Sequence, residues 1–241
     1  MALLVDGDLG RIEDLKAQDT SVLDVAASEG IDLEEKLGLA WQEVQSEVEY
    51  FLADQPGTTV DQVVVSVAMK SWHAWKTLEA VYRDAFFSQL NDRYGQRWRH
   101  WVSMAEKQRV RTLEMGLKVV SQPVQRPAGV EVEVTAGSQP AASYWLRATY
   151  VNVSGQESAP SRVRALGAVG PHGLAATAAG PLRWNLYAGT SPDRITLQNA
   201  APMGAGTAWL MPGAGLVTGR VAGTGQVPDN TVRRVPRNWR G

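Results

Sequence analysis

The spacing of the apolar residues changes once along this chain, and that change constrains the fold more than any other feature. Up to about residue 120, apolar side chains recur every three or four positions, which is typical of helices with one buried face. From Val130 onwards they alternate with polar residues, as in the run VEVEV, and this is the period of a β-strand. One element cannot keep both periods, so the sequence predicts two domains of different class.

The first part of the chain is predicted to form a small helical bundle. A short helix over 20–29 stops at Gly30, and Asp32 is then placed to cap an amphipathic helix of about five turns. Two further helices are predicted over 58–91 and 96–119, separated by a break at Tyr94 and Gly95.

The second part is predicted to form short antiparallel strands. Aromatic and β-branched residues dominate 144–152. The stretch RWNLYAGTSPDRITLQ, residues 183–198, has two alternating segments around a turn. Further strands are expected near 162–169, 174–178 and 207–211. A spacing of about ten residues between strands favours an antiparallel sandwich of immunoglobulin or fibronectin type.

Together these patterns predict an α+β protein with two domains and an extended C-terminal arm. The expected divisions are a helical bundle over 1–120, a linker over 121–129, a β-sandwich over 130–225 and a basic arm over 226–241.

Charge is arranged in blocks, although the net charge is only −1. Residues 1–62 carry a net charge of −12, residues 63–120 a net charge of +5, and residues 121–241 a net charge of +6. An uneven distribution of charge of this kind affects how a protein associates with partners rather than how it folds. It supplies two opposite surfaces with which one subunit could bind the next.

The acidic helix and the last, basic helix of the bundle are the candidate interface. Glu43 and Glu47 are like charges one turn apart, a spacing that slightly destabilises an isolated helix. They form either a solvated face or a surface that awaits a basic partner. In the second case we expect contacts across neighbouring subunits between Glu43, Glu47 and Glu49 on one side and Arg97, Arg99, Lys107, Arg109 and Arg111 on the other.

The arm over 226–241 is predicted to bind a partner and to be disordered in the free subunit. Two prolines prevent a continuous helix, and three valines are too few to form a core. A frayed terminus is the alternative. The residues expected to make the contacts are Arg233, Arg234, Arg237, Trp239 and Arg240.

Motifs for catalysis or cofactor binding are missing from the sequence. The chain has no cysteine, no pair of histidines at helical metal-site spacing, no Gly-x-Ser-x-Gly elbow and no phosphate-binding loop. We therefore expect no enzymatic activity, no cofactor and no metal. The opening MALLVDGD lacks a basic segment, and no apolar run is long enough to span a bilayer, so neither a signal peptide nor a membrane partner is predicted.

Residues 19–52, DTSVLDVAASEGIDLEEKLGLAWQEVQSEVEYFL, resemble the opening of the head–tail connector (adaptor) proteins of tailed bacteriophages and related prophages. The order of the following helices is similar to that family as well. In the second half, YWLRATYVNVSGQESAPS and WNLYAGTSPD resemble the immunoglobulin- or fibronectin-like modules of many phage structural proteins. Many connectors lack a β domain of this size, which leaves its role open.

The resemblance implies a structural virion protein of the phage neck, assembled in the host cytoplasm. Its subunits would form a ring of about twelve copies, because connectors follow the symmetry of the portal protein above them. A tail or stopper protein would bind below, the β domain could contact the capsid, and genomic DNA would pass through without tight binding. The alternative is another virion part, such as a tail, baseplate or fibre-linked protein, whose β module binds carbohydrate or a partner protein.

Overall fold

A computed structural model describes residues 1–7, 9–89, 92–170 and 172–233, without the side chains of residues 89, 92 and 169. Its α-helices are α1 (Ile12–Gln18), α2 (Val22–Glu29), α3 (Leu33–Leu52), α4 (Val67–Gln89) and α5 (Asp92–Met115). Its strands are β1 (Leu117–Val119), β2 (Glu131–Gln139), β3 (Ala142–Val151), β4 (Arg164–Val169), β5 (His172–Thr177), β6 (Arg183–Gly189), β7 (Thr196–Leu197), β8 (Trp209–Leu210) and β9 (Asn230–Val232).

The chain folds into two units, which confirms the predicted α+β class with a helical and a β part. The boundaries are not contiguous in sequence, in contrast to the predicted divisions. Met1–Asp6 belongs to the β unit with Gln122–Val227, and residues 228–233 belong to the helical unit with Gly7–Ser121. In the β unit Leu4 is fully buried, and the Asp6 carboxylate accepts a hydrogen bond from the Arg126 amide at 3.0 Å.

Helix α4 is the centre of the helical unit. It packs against α1, α2, α3 and α5, and Leu78, Val81 and Tyr82 on it are fully buried. At roughly 25 cal/mol per Å² of apolar surface, this burial is the main stabilising term of the unit. Across the described residues, the helices are all too short or too polar to cross a membrane.

The ends of the helices around Gly30 follow the local sequence. Gly30 ends α2 in the left-handed conformation, with φ 66°, which glycine adopts without strain. The Asp32 side chain then caps α3 by accepting hydrogen bonds from the amides of Glu34 at 2.9 Å and Glu35 at 3.2 Å. Both predictions are confirmed.

The predicted start of α4 near residue 58 and end of α5 near 119 are wrong. Residues 63–65 are extended and buried beside β1. The Val64 amide donates to the Lys118 carbonyl at 2.9 Å, and the Val120 amide donates to the Gln62 carbonyl at 2.9 Å. These valines satisfy their backbone groups by pairing with a distant segment, so tertiary contacts override their helical spacing.

The predicted break at Tyr94 and Gly95 is also wrong, because both residues lie inside α5. Gly95 serves close packing instead. A Cβ atom at this position would lie 3.2 Å from Cε2 of Phe86 on α4. The absent side chain therefore lets the two helices approach. Helix α1 was not predicted from the sequence.

The β unit consists of two antiparallel sheets that share one core. The strand order is β2-β5-β8 in one sheet and β4-β3-β6-β7 in the other. Fully buried Leu146 and Trp184 from the second sheet belong to the same hydrophobic cluster as Leu174 and Ala176 from the first. The sheets therefore pack face to face as the predicted sandwich.

His73 is a core histidine on α4, 2 % exposed. Its Nε2 lies 3.0 Å from the Leu37 carbonyl, which can only accept, so this nitrogen carries the proton. Burial lowers the pKa of His73, and this effect outweighs the Leu37 hydrogen bond and the nearby Asp14 carboxylate, which both raise it.

The free energy of unfolding is expected to fall as the pH drops below about 6.5, the ordinary pKa of histidine. The sign follows because the unfolded chain takes up a proton there while buried His73 remains neutral. Urea unfolding at pH 7.5, 6.5 and 5.5 should therefore show a smaller loss of stability for His73→Gln than for the parent. The exposed His100 provides the matched control, His100→Gln, which should behave like the parent. Equal pH dependence of all three proteins would contradict this prediction.

Candidate functional site

A groove of about 670 Å³ runs between α3, α4 and α5 in the helical unit. Four apolar residues contribute to its lining: Val44, Trp72, Val102 and Ala105. Val44 and Trp72 are buried, whereas Val102 keeps 39 % of its surface exposed. Most of the other lining residues are charged: Glu43, Glu47, Lys76, Glu79, Glu106 and Arg109. The groove thus combines an apolar floor with charged walls.

The first group of charges joins α3 to α4. Lys76 Nζ lies 2.9 Å from a carboxylate oxygen of Glu43 and 3.1 Å from one of Glu79. Burial lowers the pKa of Lys76, but hydrogen bonds and charge from these two carboxylates outweigh it, so its pKa is raised. Lys76 is therefore a fixed cation between two acids.

The second group joins α3 to α5. Arg109 lies 3.2 Å from Glu47 and 2.7 Å from Glu106, which contacts the guanidinium through both carboxylate oxygens. The hydrogen bond to Glu106 raises the pKa of Arg109, and the same bond lowers the pKa of Glu106. Each cation of the groove thus binds two carboxylates, so four acids face two bases and the walls carry a net charge of −2.

Three residues of the predicted subunit interface are therefore already paired within one chain. Glu43 binds Lys76, and Glu47 binds Arg109. Glu43, Glu47 and Arg109 thus have ion-pair partners within the chain, and their predicted contact across neighbouring subunits stays a prediction. The two glutamates, one turn apart on α3, each contact a different adjacent helix, which accounts for their spacing without a partner protein.

Arg97 is also used inside the helical unit. Its guanidinium donates to the Tyr82 hydroxyl at 2.9 Å and to Ser21 Oγ, and it lies 5.6 Å from the centre of the Tyr82 ring. Tyr82 in turn donates to the Asp19 carboxylate at 2.7 Å. Burial raises the pKa of Asp19, but the hydrogen bonds that Asp19 accepts from Tyr82 and from the Ser21 hydroxyl and amide outweigh it, so the pKa is lowered. Arg97 thus anchors α5 to the start of α2.

The other predicted interface residues remain on the surface. Arg99, Lys107 and Arg111 are exposed on α5 and form no ion pair with any residue that the structure describes. Glu49 is exposed on α3, where its carboxylate accepts from Gln45 Nε2 at 2.8 Å. These four residues are the part of the predicted interface that internal pairing leaves accessible.

The first part of the predicted arm is ordered, which corrects the expectation of disorder over its whole length. Strand β9 pairs antiparallel with β1, with Val232 opposite Leu117 and Asn230 opposite Val119. The Asp229 carboxylate also accepts from the Ser121 amide, at 3.0 and 3.1 Å. Of the predicted contact residues only Arg233 is described; Arg234, Arg237, Trp239 and Arg240 lie outside the described residues.

A second, smaller pocket of about 440 Å³ lies on the β unit. Glu157 is its central charge, accepting from the Tyr187 hydroxyl at 2.8 Å, from Asn185 and from Arg220. Arg220 also stacks 5.7 Å from the centre of the Tyr187 ring. Burial, followed by the Glu157 hydrogen bond, raises the pKa of Tyr187. These polar groups mainly bind one another and brace the sheet.

Sequence reasoning missed Lys76, Glu79 and Glu106 as members of the groove. A signal for them did exist, because Lys76 with Glu79 and Glu106 with Arg109 are opposite charges three residues apart on a helix. The contacts to α3 could not be read in this way, since they depend on how the helices pack.

Comparison of the chain with protein-family models, characterised proteins and solved structures gave no match. Within the described part of the chain, no group of three or more histidine, cysteine or acidic side chains is placed to hold a metal ion.

Proposed function

We propose that this protein is a structural component of a phage neck, whose subunits form a ring that joins the portal protein to the tail and extends the DNA channel. The observation that carries the proposal is a pair of opposite surfaces on one helical unit. After internal pairing, α3 exposes Glu49 while α5 exposes Arg99, Lys107 and Arg111. A cyclic ring needs such a heterologous contact, in which one face of a subunit binds a different face of the next.

The connector-like helix order of residues 1–120 adds support from the sequence. In this proposal the ring contains about twelve subunits, following the portal. A tail or stopper protein binds below, and the β unit supplies surface for the capsid or tail. Genomic DNA slides past without tight binding, because each additional phosphate contact would add counterion-release affinity and retard it.

The second candidate, a tail, baseplate or fibre-linked protein with a ligand-binding β module, is supported by the polar pocket around Glu157. The support is weaker, because the carboxylate already accepts bonds from Asn185, Tyr187 and Arg220. No aromatic side chain is among the described residues that line this pocket, so a stacking surface for a sugar ring is not found there.

Reversing the exposed charges of α5 tests the ring. The triple variant Arg99→Glu, Lys107→Glu and Arg111→Glu is expected to shift the protein from rings of about twelve subunits to monomers, because like charges then face each other across the interface. Native mass spectrometry and mass photometry measure the distribution. Salt should weaken the parent's assembly, since exposed charges are screened within about 8–10 Å at physiological ionic strength.

The control for this variant reverses three other exposed cations, Lys70, Arg162 and Arg164, to glutamate. It changes the net charge equally and should leave the ring intact. A parent protein that forms trimers would favour the fibre-linked alternative. If the triple variant assembles as completely as the control, the exposed cations of α5 are not part of the interface.

A further inference from the structure

We propose that the β unit binds a second copy of the chain edge to edge, through β2 of one copy and β4 of the other. In this contact residues 131–135 of β2 pair in parallel with residues 162–166, which include the start of β4. The contact joins two β units, whereas the proposed ring closes through α5, so it does not rest on the ring.

Strands β2 and β4 lie at sheet edges, and each leaves one side unpaired among the described residues. Strand β2 pairs with β5 alone, and β4 pairs with β3 alone. At the opposite edges, β7 and β8 have two residues each. The β7 edge is also covered, because the Leu197 amide donates to the Arg220 carbonyl at 2.9 Å. Strands β2 and β4 are thus the edges to which a further strand can add.

The regular part of each open edge is short. In β2 the register with β5 is continuous over residues 131–135 and shifts before Gln139. In β4 the register with β3 is continuous over residues 164–166 and shifts before Val169. Because such a shift bends a strand, these segments are the parts of the two edges that present their backbone groups in a regular row.

The two open edges carry opposite charges. Glu131 and Glu133 on β2 are exposed, and so are Arg162 and Arg164 at the start of β4. None of the four forms an ion pair with a residue that the structure describes. Opposite charges on adjacent strands stabilise their pairing, whereas like charges that face each other destabilise it. A contact of β2 with β2, or of β4 with β4, would bring like charges together, so β2 with β4 is favoured.

The spacing of these charges selects the parallel direction. When the two segments run in the same direction, Glu131 faces Arg162 and Glu133 faces Arg164. When the same segments are aligned in opposite directions, only Glu133 faces an arginine. An antiparallel register that forms both ion pairs would place Pro160 opposite β2, and proline has no amide hydrogen to donate.

Apolar side chains at the same positions favour the parallel register as well. It places Val134, which is 52 % exposed, opposite the exposed Ala165. It also places Val132 opposite Val163, which is 38 % exposed. The contact therefore removes apolar surface from water in addition to pairing charges.

Pairing over so few residues is weak, because each backbone hydrogen bond and each exposed ion pair adds little net stability. We therefore expect the contact in concentrated protein and not in the dilute solutions in which ring size is measured. Reversing Arg162 and Arg164 removes this contact without opening a ring that closes through α5. Failure of the edge contact and failure of the ring are thus separate results.

Mixing two single-cysteine proteins tests the contact in the full chain, which has no cysteine of its own. One protein carries Val134→Cys and is ¹⁵N-labelled, and the other carries Ala165→Cys. Adjacent strands lie about 4.7–4.9 Å apart, a Cα distance that a disulfide can bridge. After oxidation of the concentrated mixture, intact mass should show at least threefold more mixed than uniform dimers, whereas random collision gives equal numbers. Equal numbers, or a majority of uniform dimers, would overturn the proposal.

Val163→Cys in place of Ala165→Cys is the control for direction. In the parallel register Val163 lies two residues away from the position opposite Val134, about 7 Å along the strand. This pair should give at least fivefold fewer mixed dimers. A higher yield with Val163→Cys than with Ala165→Cys would show antiparallel pairing and reject the proposed register.

A charge swap links the contact to the named residues. In the Val134→Cys protein, Glu131→Arg with Glu133→Arg should lower the yield of mixed dimers at least fivefold, because arginines then face arginines. Adding Arg162→Glu with Arg164→Glu to the Ala165→Cys partner should restore the yield.

The matched control for the swap is Glu34→Arg with Glu114→Arg, which changes the net charge equally at two exposed positions of the helical unit. It should leave the yield of mixed dimers unchanged, and circular dichroism verifies that each variant is folded. If this control loses as much as the β2 variant, or if the swapped partner restores nothing, the edge charges do not select the contact and the proposal fails.

Discussion

Replacing Trp184 with alanine is expected to lower the free energy of unfolding of the β unit by about 3–5 kcal/mol, the range for large aromatic side chains removed from a core. Trp184 is fully buried in β6, a strand that β3 and β7 flank. It belongs to the cluster that draws side chains from both sheets, so the cavity would lie between them. Urea unfolding followed by tryptophan fluorescence measures the change.

Trp145 offers a matched control in the neighbouring strand. It lies on β3 between the buried Tyr144 and Leu146 and is partly exposed. Because side chains alternate along a strand, Trp145 lies on the face of the sheet that points away from the shared core. Trp145→Ala removes the same atoms without opening a cavity in the shared core, so its loss should be clearly smaller. Equal losses at both positions would mean that the core between the sheets is not the main source of stability in this unit.

The sequence predicted those parts of the fold that depend on short-range contacts. Asp32 caps α3 through amides two and three residues ahead, and Gly30 ends α2 by its own backbone conformation. The alternation of residues 183–189 likewise matches β6. Each of these features can be recognised within a window of a few residues.

The errors arose where the partner lies far away in the sequence. Val64 pairs with Lys118, so a helical pattern of valines became an extended segment. Gly95 was interpreted as a break, but it allows Phe86 to pack closely against α5. Strand β9 joins β1 across more than a hundred residues, and a short segment without periodicity gave no sign of this pairing.

For the charged residues too, the sequence predicted the local pattern but not the contacts between distant residues. The charge blocks correctly indicated that α3 and α5 carry opposite charges. They could not indicate whether Glu47 binds an arginine of its own chain or of a neighbour, because that depends on the distance between packed helices. In the structure Arg109 is 3.2 Å away in the same chain, whereas Arg99, Lys107 and Arg111 form no ion pair with a described residue.

Gly116→Ala is expected to destabilise the helical unit and to detach β9 from β1. Gly116 has φ 87°, where an alanine is strained by about 1–2 kcal/mol. In addition, its Cβ atom would lie 2.6 Å from the Val232 carbonyl oxygen, a backbone atom that cannot move without disturbing the pairing. The two effects add, so the loss should exceed the strain alone.

Gly57→Ala separates these two effects. Gly57 has a similar φ of 83°, but a Cβ atom there would meet nothing within 4 Å. This variant should therefore lose only the strain of about 1–2 kcal/mol. Urea unfolding gives the two losses, and amide hydrogen exchange shows where they arise: exchange in Asn230–Val232 should accelerate in Gly116→Ala and stay unchanged in Gly57→Ala. If the two variants lose equal stability and β9 remains protected in both, the contact with Val232 does not hold the strand.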